Sequence, residues 1–403
     1  MSTPATTTLM TPSPELVEQM VAMRHDLHRN PELGTELPRT QAAVLERIGD
    51  LPDLEVVAGT RQSSVTAVLR GGGPVSGQRP LVLLRGDMDA LPVTEDTGLP
   101  YSSQVPGRMH ACGHDVHTAA LWGALVMLNA HRAELLCDVV FMFQPAEEAS
   151  VGARWMIEDG VLDAAGRRPD AAFGLHVFSG MLPHGQFATR PGVFMAGCDD
   201  MRAVVTGQGG HGSSPHLALD PVPVACEITL ALQTHVNRRY SGFEPIVLTV
   251  GRIAAGTDSA IIPATAEIDL TIRTFSEAAK ARAVEEVPRL IEGIAAAHGL
   301  SAEVSCPPDY PVTVNDPAET AYLVETITEC LGADAVTERD EPLAGSEDFS
   351  WVLREVPGAF VMLGAGIPGH PEETNHSPRA TFDDAMLPRA ATTLAMLAWR
   401  RGR

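Results

Sequence analysis

Leu81-Val82-Leu83-Leu84, followed by Arg85-Gly86-Asp87-Met88-Asp89, is the stretch that decides the fold. Four apolar residues in a row before a polar turn read as a short strand buried on both faces. Similar runs recur at Asp138 to Phe143, stopped by Gln144-Pro145, at Ala171 to Leu175, closed by His176, and at Ala359 to Leu363. Helices are expected between them. One opens at Ser13-Pro14, with serine as cap and proline in the first turn, and runs to Asn30-Pro31. Others are expected at Thr40 to Ile48, Thr118 to Leu128, Gly152 to Glu158 and Asp384 to Trp399. Short apolar strands alternating with helices indicate an α/β layered sheet. Gly71 to Gly77 reads as a loop between strands.

The middle of the chain follows a different pattern. Strands at Met201 to Thr206, Ile246 to Ile253, Ala266 to Thr274 and Ser301 to Ser305 enclose helices at Pro221 to Val236 and Ser276 to Ala297. The order β-α-β-β-α-β is that of a ferredoxin-like unit. The chain is therefore expected to hold a discontinuous α/β domain, residues 1–194 and 310–403, interrupted by an inserted domain at 195–309.

Composition limits the function. In 403 residues, 29 Lys and Arg stand against 51 Asp and Glu, a formal charge of −22. Phosphate backbones need clustered cations, so no nucleic-acid partner is expected. The longest apolar stretch, Ala119 to Leu128, is far shorter than the roughly 18 residues of a membrane span, so no membrane partner is expected either. The first fifteen residues have neither a basic region nor an apolar core, so no secretory leader is expected. Six scattered cysteines are too few for a disulfide framework, which suits a reducing cytoplasm.

Ligands in open α/β sheets gather beyond the carboxyl ends of the strands. Asp87 and Asp89, Glu147 and Glu148, His176, and His376 all fall there, with Met109 to His117 lying just before a helix. Thiol, imidazole and carboxylate are the donor set for zinc and similar ions. Taken alone each piece is ordinary: Asp-x-Asp as a turn, a Glu pair as a helix first turn, a lone histidine or cysteine as a core residue. Their convergence on one sheet edge favours a metal site. Other motifs fail. Gly207-x-Gly209-x-x-Gly212 has no helix directly behind it to receive a phosphate. The chain has no P-loop, Gly-x-Ser-x-Gly elbow, His-Glu-x-x-His or zinc-deaminase signature.

Arg24 to His28, Gly86 to Pro92, Met109 to His117, Gln144 to Glu148, Leu175-His176, Gly209 to Gly212, Gly345 to Phe349 and Asn375 to Ser377 occur in that order. Together they resemble the metal-dependent amidohydrolases of the aminoacylase and carboxypeptidase G family, in its hippurate hydrolase and indole-acetyl-amino-acid hydrolase branch. The resemblance implies a three-layer α/β/α catalytic domain holding two divalent ions, zinc or manganese first and cobalt or nickel as alternatives. It also implies an inserted lid domain through which the protein forms a homodimer. Carried over by motif, Cys112, His114, Glu148, His176 and His376 would be metal ligands and Glu147 the general base. His211 would reach across the dimer to stabilise the oxyanion, and Arg273 would hold the substrate carboxylate.

The wider family carries His-x-Asp where this chain has Asp87-x-Asp89. As in the subgroup, Asp87 is then expected to support ligands rather than bind metal, and Asp89 to orient one. Where the lid usually offers an asparagine to the substrate, this chain has Ala260. The implied reaction is hydrolysis of N-acyl amino acids. The alternatives are a dipeptidase or exopeptidase of the same family, or a non-catalytic metal-dependent binding protein, which the presence of Glu147 disfavours.

Overall fold

The computed structural model describes residues 10–307, 309–370 and 373–403. Most of the N-terminal stretch read above for a leader, residues 1–9, lies outside them. Two compact units are present. One is built from Met1–Phe194, Val314–Glu341 and Asp348–Arg403, the other from Met195–Thr313 and Pro342–Glu347.

In chain order the first unit opens with helices α1 (Pro14–Arg29) and α2 (Pro38–Gly49) and strands β1 (Leu54–Ala58), β2 (Val65–Leu69) and β3 (Leu81–Asp87). It continues with α3 (His114–Ala130), β4 (Asp138–Gln144), α4 (Gly152–Glu158), β5 (Ala171–Phe178), β6 (Phe187–Thr189) and β7 (Gly192–Met195). The second unit contributes β8 (Gly197–Thr206), β9 (Gly210–His211), α5 (Pro221–Arg239), β10 (Ile246–Ala255), β11 (Ile261–Ile262), β12 (Thr265–Thr274), α6 (Glu277–Ala297) and β13 (Ser301–Ser305). The chain then passes through β14 (Thr313–Asn315), α7 (Pro317–Leu331), β15 (Val336–Glu338), α8 (Ser350–Glu355), β16 (Gly358–Gly364) and α9 (Met386–Trp399).

The first unit is built on an eight-stranded mixed sheet, β1-β2-β4-β3-β5-β16-β6-β15. Its centre, β4-β3-β5-β16, is parallel. Alternate residues of a strand face opposite sides, and that alternation divides the chemistry here. Val82 and Leu84, Phe141 and Phe143, and Phe173, Leu175 and Val177 join the main core with α1, α3 and α9. The intervening positions include Arg85, Asp87, Gln144 and His176, all buried. The polar machinery therefore occupies the other face, at the carboxyl ends of β3, β4 and β5. Gln144 ends β4 and lies beside Gly152 at the start of α4, and Phe349, just before α8, packs on Phe360 of β16 with ring centroids 5.7 Å apart.

The expected elements appear with shifted ends. β3 runs on to Asp87 and β5 to Phe178, so His176 lies inside its strand rather than closing it. α3 begins at His114, four residues before the expected start. Ser13 caps α1 by accepting from the Leu16 N–H. Ser276 caps α6 by accepting from the Ala279 N–H.

The second unit has the sheet order β10-β12-β8-β13, antiparallel throughout. Its apolar core lies between this sheet and α5 and α6. The unit extends to Thr313 and takes in Pro342–Glu347, a return that no feature of the sequence marked. Gly207, Gly209 and Gly212 serve close chain packing. A Cβ on Gly207 would stand 2.1 Å from the Leu219 carbonyl oxygen, and one on Gly209 would stand 2.9 Å from that of Ile262.

Candidate metal centre

Backbone irregularity places the donors. Cys112 and His114 flank Gly113, which has φ +86°. A Cβ there would also meet Val177 Cγ2 at 2.4 Å, so glycine is needed on both counts. After β4, Pro145 ends the ladder and Ala146 turns left-handed at φ +59°, a conformation costing on the order of 1–3 kcal/mol for a non-glycine residue. This turn allows the adjacent Glu147 and Glu148, which a regular strand would point apart, to serve one place. Asp89 fixes it: one carboxylate oxygen accepts the Glu147 N–H and the other the Glu148 N–H, each at 3.0 Å. His376 is also left-handed, at φ +70°, and is held by its N–H to the Ala111 carbonyl at 2.9 Å. Its neighbour Asn375 donates to the Val177 and Cys112 carbonyls.

Five of the expected donors converge. Cys112 Sγ lies 3.4 Å from His176 Nε2 and 3.3 Å from His376 Nε2. Glu148 Oε1 lies 3.3 Å from His376 Nε2 and 3.9 Å from His114 Nε2. They form two triads, Cys112–His114–His176 and Cys112–Glu148–His376, with ligand atoms inside each triad within 4.8 Å of one another. Cys112 belongs to both. Both ring nitrogens of His114 and Glu148 Oε1 are buried without a well-aligned hydrogen bond, Asp89 standing 3.4 Å from His114 Nδ1 and His376 3.3 Å from Glu148 Oε1. As a rule buried polar atoms are paired, and nitrogen and oxygen left unpaired beside a thiol are what borderline divalent cations complete. The residues therefore fit two cations sharing the cysteine.

Electrostatics agree with that donor set. Burial pushes the Cys112 thiol above its usual range, with the Glu148 charge adding to it. His376 is raised to about 10 by its contacts with Cys112 and Glu148. Burial, then the nearby His117, drives His176 well below the imidazole range. Burial would raise Glu148, but His376 and His114 outweigh it and lower the carboxyl. Cation binding here must displace protons.

Asp87 is committed elsewhere. Its carboxylate meets Arg85 Nη1 and His117 Nδ1, both at 2.5 Å. Burial opposes its charge, yet Arg85, His114 and His117 hold it well below the carboxylate range. His117 Nε2 accepts the Val177 N–H at 2.8 Å, which assigns the ring proton to Nδ1, facing Asp87. Asp87 thus braces β5, the strand of His176. Asp89 Oδ1 is 3.4 Å from His114 Nδ1. Glu147 is buried, and its Oε1 accepts the Asp348 N–H at 3.4 Å.

His211 and Arg273 belong to the second unit and are not among these residues. His211 lies exposed on β9, and its Nδ1 accepts from Ser213 N–H at 3.1 Å, leaving Nε2 as the protonated nitrogen. Ala260 accepts the Gly212 N–H, just after this strand, through its backbone carbonyl at 2.7 Å. Arg273, on β12, donates to Ser346 Oγ at 2.8 Å. The same unit brings Cys198, Asp200 and Asp309 together. There, burial raises the thiol to about 12, and it hydrogen-bonds Asp200 and Thr271, so the group is self-satisfied.

Arg85, His117, Gln144, Asp348 and Asn375 were given no role from sequence. A lone arginine in the apolar run of β3, and His117 three residues after His114 on one helix face, were the signals available.

Residues 83–400 match the model of the peptidase family M20/M25/M40. N-acetylcysteine deacetylase of Bacillus subtilis is 37% identical over 387 residues, 94% of this chain and 96% of the relative. IAA-amino acid hydrolase ILR1-like 2 of Arabidopsis thaliana is 36% identical over 393 residues, 96% of this chain and 86% of the relative. The solved structure of the Bacillus subtilis YXEP protein, described as a dinuclear metal binding peptidase from the M20 family, superposes with a TM-score of 0.79 at 33% identity, covering 96% of this chain and 98% of that one. With a family model spanning well over half its length and relatives matched nearly end to end, the chain belongs to peptidase family M20/M25/M40.

Proposed function

We propose that this protein is a metal-dependent amidohydrolase that cleaves the amide bond of N-acyl amino acids, releasing a carboxylic acid and a free amino acid. The observation that carries the reading is a buried carboxylate, Glu147, adjoining two donor triads that share Cys112. Cys112, His114 and His176 would hold one cation, and Cys112, Glu148 and His376 the second. Zinc or manganese suits this mixed S, N and O set, with cobalt or nickel as substitutes. When bound, such cations polarise a carbonyl and make water a better nucleophile near neutral pH.

Glu147 takes the proton of the attacking water and returns it to the leaving amine. Asp89 holds the Glu147 backbone N–H at the tip of the turn, and the Asp348 N–H lies 3.4 Å from the carboxylate itself. His211 Nε2 is the protonated nitrogen and suits donation to the developing oxyanion. Arg273 supplies the charge for the substrate carboxylate. We assign the second unit as a lid and dimerisation domain. β10 is an edge strand with exposed Val247 and Ile253, and α5, which packs against it, exposes Leu230; such edges ask for cover. A homodimer would bring His211 of one copy to the substrate of the other. The six cysteines are unpaired, which suits a reducing cytoplasm.

A panel of N-acetyl, N-benzoyl and free dipeptide substrates, run with zinc and manganese enzyme, tests the activity. Turnover of the dipeptides alone would move the assignment to an exopeptidase. Glu147→Gln should keep its metal and lose about 10²–10⁴ in kcat; an unchanged rate would remove Glu147 from the mechanism. Sedimentation at micromolar concentration tests the dimer, and a fully active monomer would exclude a histidine acting from the other copy.

A further inference from the structure

The turn that carries Glu147 has both of its feet on one buried carboxylate. Residues 145–151 link β4, which ends at Gln144, to α4, which begins at Gly152. Gln144 Nε2 donates to both oxygens of Asp348, at 2.7 and 2.9 Å, and the Ala153 N–H donates to Asp348 Oδ2 at 2.9 Å. From below, Arg85 Nη2 donates to Asp348 Oδ1 at 3.0 Å and Arg85 Nε to Gln144 Oε1 at 2.9 Å. At the tip, the backbone N–H of Asp348 reaches Glu147 Oε1 at 3.4 Å. Long hydrogen bonds of this kind at a catalytic group commonly tighten once substrate is bound. Asp348 and Arg85 are both fully buried.

We propose that Asp348 is a positioning residue for the general base: its carboxylate clamps both ends of the Glu147 turn while its peptide N–H aims the Glu147 carboxylate. The proposal rests on the assignment of Glu147 as the base. Only a carboxylate fits the role. It accepts from Gln144, Ala153 and Arg85 together, whereas an asparagine has one acceptor oxygen and would turn its own N–H₂ group against these donors. Arg85 keeps Asp87 as a partner in either case, so its charge is not stranded.

A purely structural carboxylate would disturb the enzyme whatever stands at 147. A positioning residue acts only through Glu147, and a double-mutant cycle separates the two. The variants are Asp348→Asn, Glu147→Gln and the pair, loaded with zinc or manganese and assayed on N-acetylcysteine or N-benzoylglycine, whichever turns over. Asp348→Asn should lower kcat by about 10–100-fold, the scale of a displaced catalytic group, with KM within about threefold and both cations retained. In the Glu147→Gln background the same substitution should change kcat by less than about threefold. Equal losses in both backgrounds, or no loss beside intact Glu147, would overturn the proposal while leaving the base in place. A Glu147→Gln enzyme with wild-type kcat would instead overturn the base assignment and the proposal with it. Should Asp348→Asn not fold, Gln144→Met removes one foot of the clamp without stranding a charge. It should lower kcat several-fold beside intact Glu147 and leave it unchanged in the Glu147→Gln background; any other pattern counts against the clamp.

Discussion

Replacing Cys112 with alanine should empty two cation positions at once. Its sulfur is 3.4 Å from His176 Nε2 and 3.3 Å from His376 Nε2, and it is the one residue shared by both triads. Without it, His114 and His176 remain for one cation and Glu148 and His376 for the other. Loss of even an outer partner of a ligand commonly lowers metal affinity about 10–100-fold, and loss of a direct donor should cost at least that in each position. Across the pair this is about 10²–10⁴, or roughly 2.7–5.5 kcal/mol. His176→Asn and His376→Asn each remove a donor from one triad alone, so each should lower bound metal from two equivalents towards one. The assay is element analysis after dialysis against chelator-buffered zinc, with a competing chromogenic chelator to give each affinity. A Cys112→Ala protein that holds two equivalents within tenfold of wild-type affinity would refute the shared thiolate. Loss of both cations from His176→Asn would refute the division into two triads.

Two further outcomes are expected. A Cβ on Gly152 would lie 1.8 Å from the Pro145 carbonyl oxygen, a backbone atom with nowhere to rotate. Gly152→Ala must therefore open the Glu147 turn, and kcat should fall about 10²-fold, measured against bound metal; a wild-type rate would mean the turn is not held as described. His28 is buried against Asp115 and Glu95, with Arg24, Tyr101 and His110 nearby. Burial lowers its pKa, but the Asp115 charge and both hydrogen bonds outweigh this and raise it to about 9 from the ordinary 6.5. A raised folded pKa means stability that is complete below 6.5 and lost as pH climbs through 9, here about 3 kcal/mol. Urea melts at pH 6, 8 and 10 should show that decline in wild type and a flatter profile in His28→Gln; parallel profiles would refute it.

The central strands and their flanking helices were legible because uninterrupted apolar runs have no alternative to burial. Their ends were not. Arg85, Gly86 and Asp87 read as a turn after Leu84, yet they continue β3 because Arg85 finds Asp87, Gln144 and Asp348. A polar residue inside a strand looks like its end until the distant partner is known. β1 is rich in apolar residues yet exposed along most of its length, so burial is not what fixes it as a strand; its pairing with β2 does. At the site, Cys112, His114, Glu148, His176 and His376 were readable as donor types near strand and helix ends. Their supports were not, since Gln144 and Asp348 stand 204 residues apart and Arg85 and Asp348 stand 263 apart.

The donors and their supports also divide the strain. Ala146 and His376 carry left-handed backbone, one beside the glutamate pair and one at a proposed donor itself. Such conformations persist only where neighbours over-determine them. Here the neighbours are residues with no donor role: Asp89 holds the peptide groups of Glu147 and Glu148, Ala111 accepts the N–H of His376, and Asn375 ties that loop to Val177 and Cys112. The donor arrangement is thus held by hydrogen bonds of the protein. A cation entering it would find imidazole, thiol and carboxylate already in reach rather than having to gather them, which is the condition under which binding free energy goes into affinity instead of ordering.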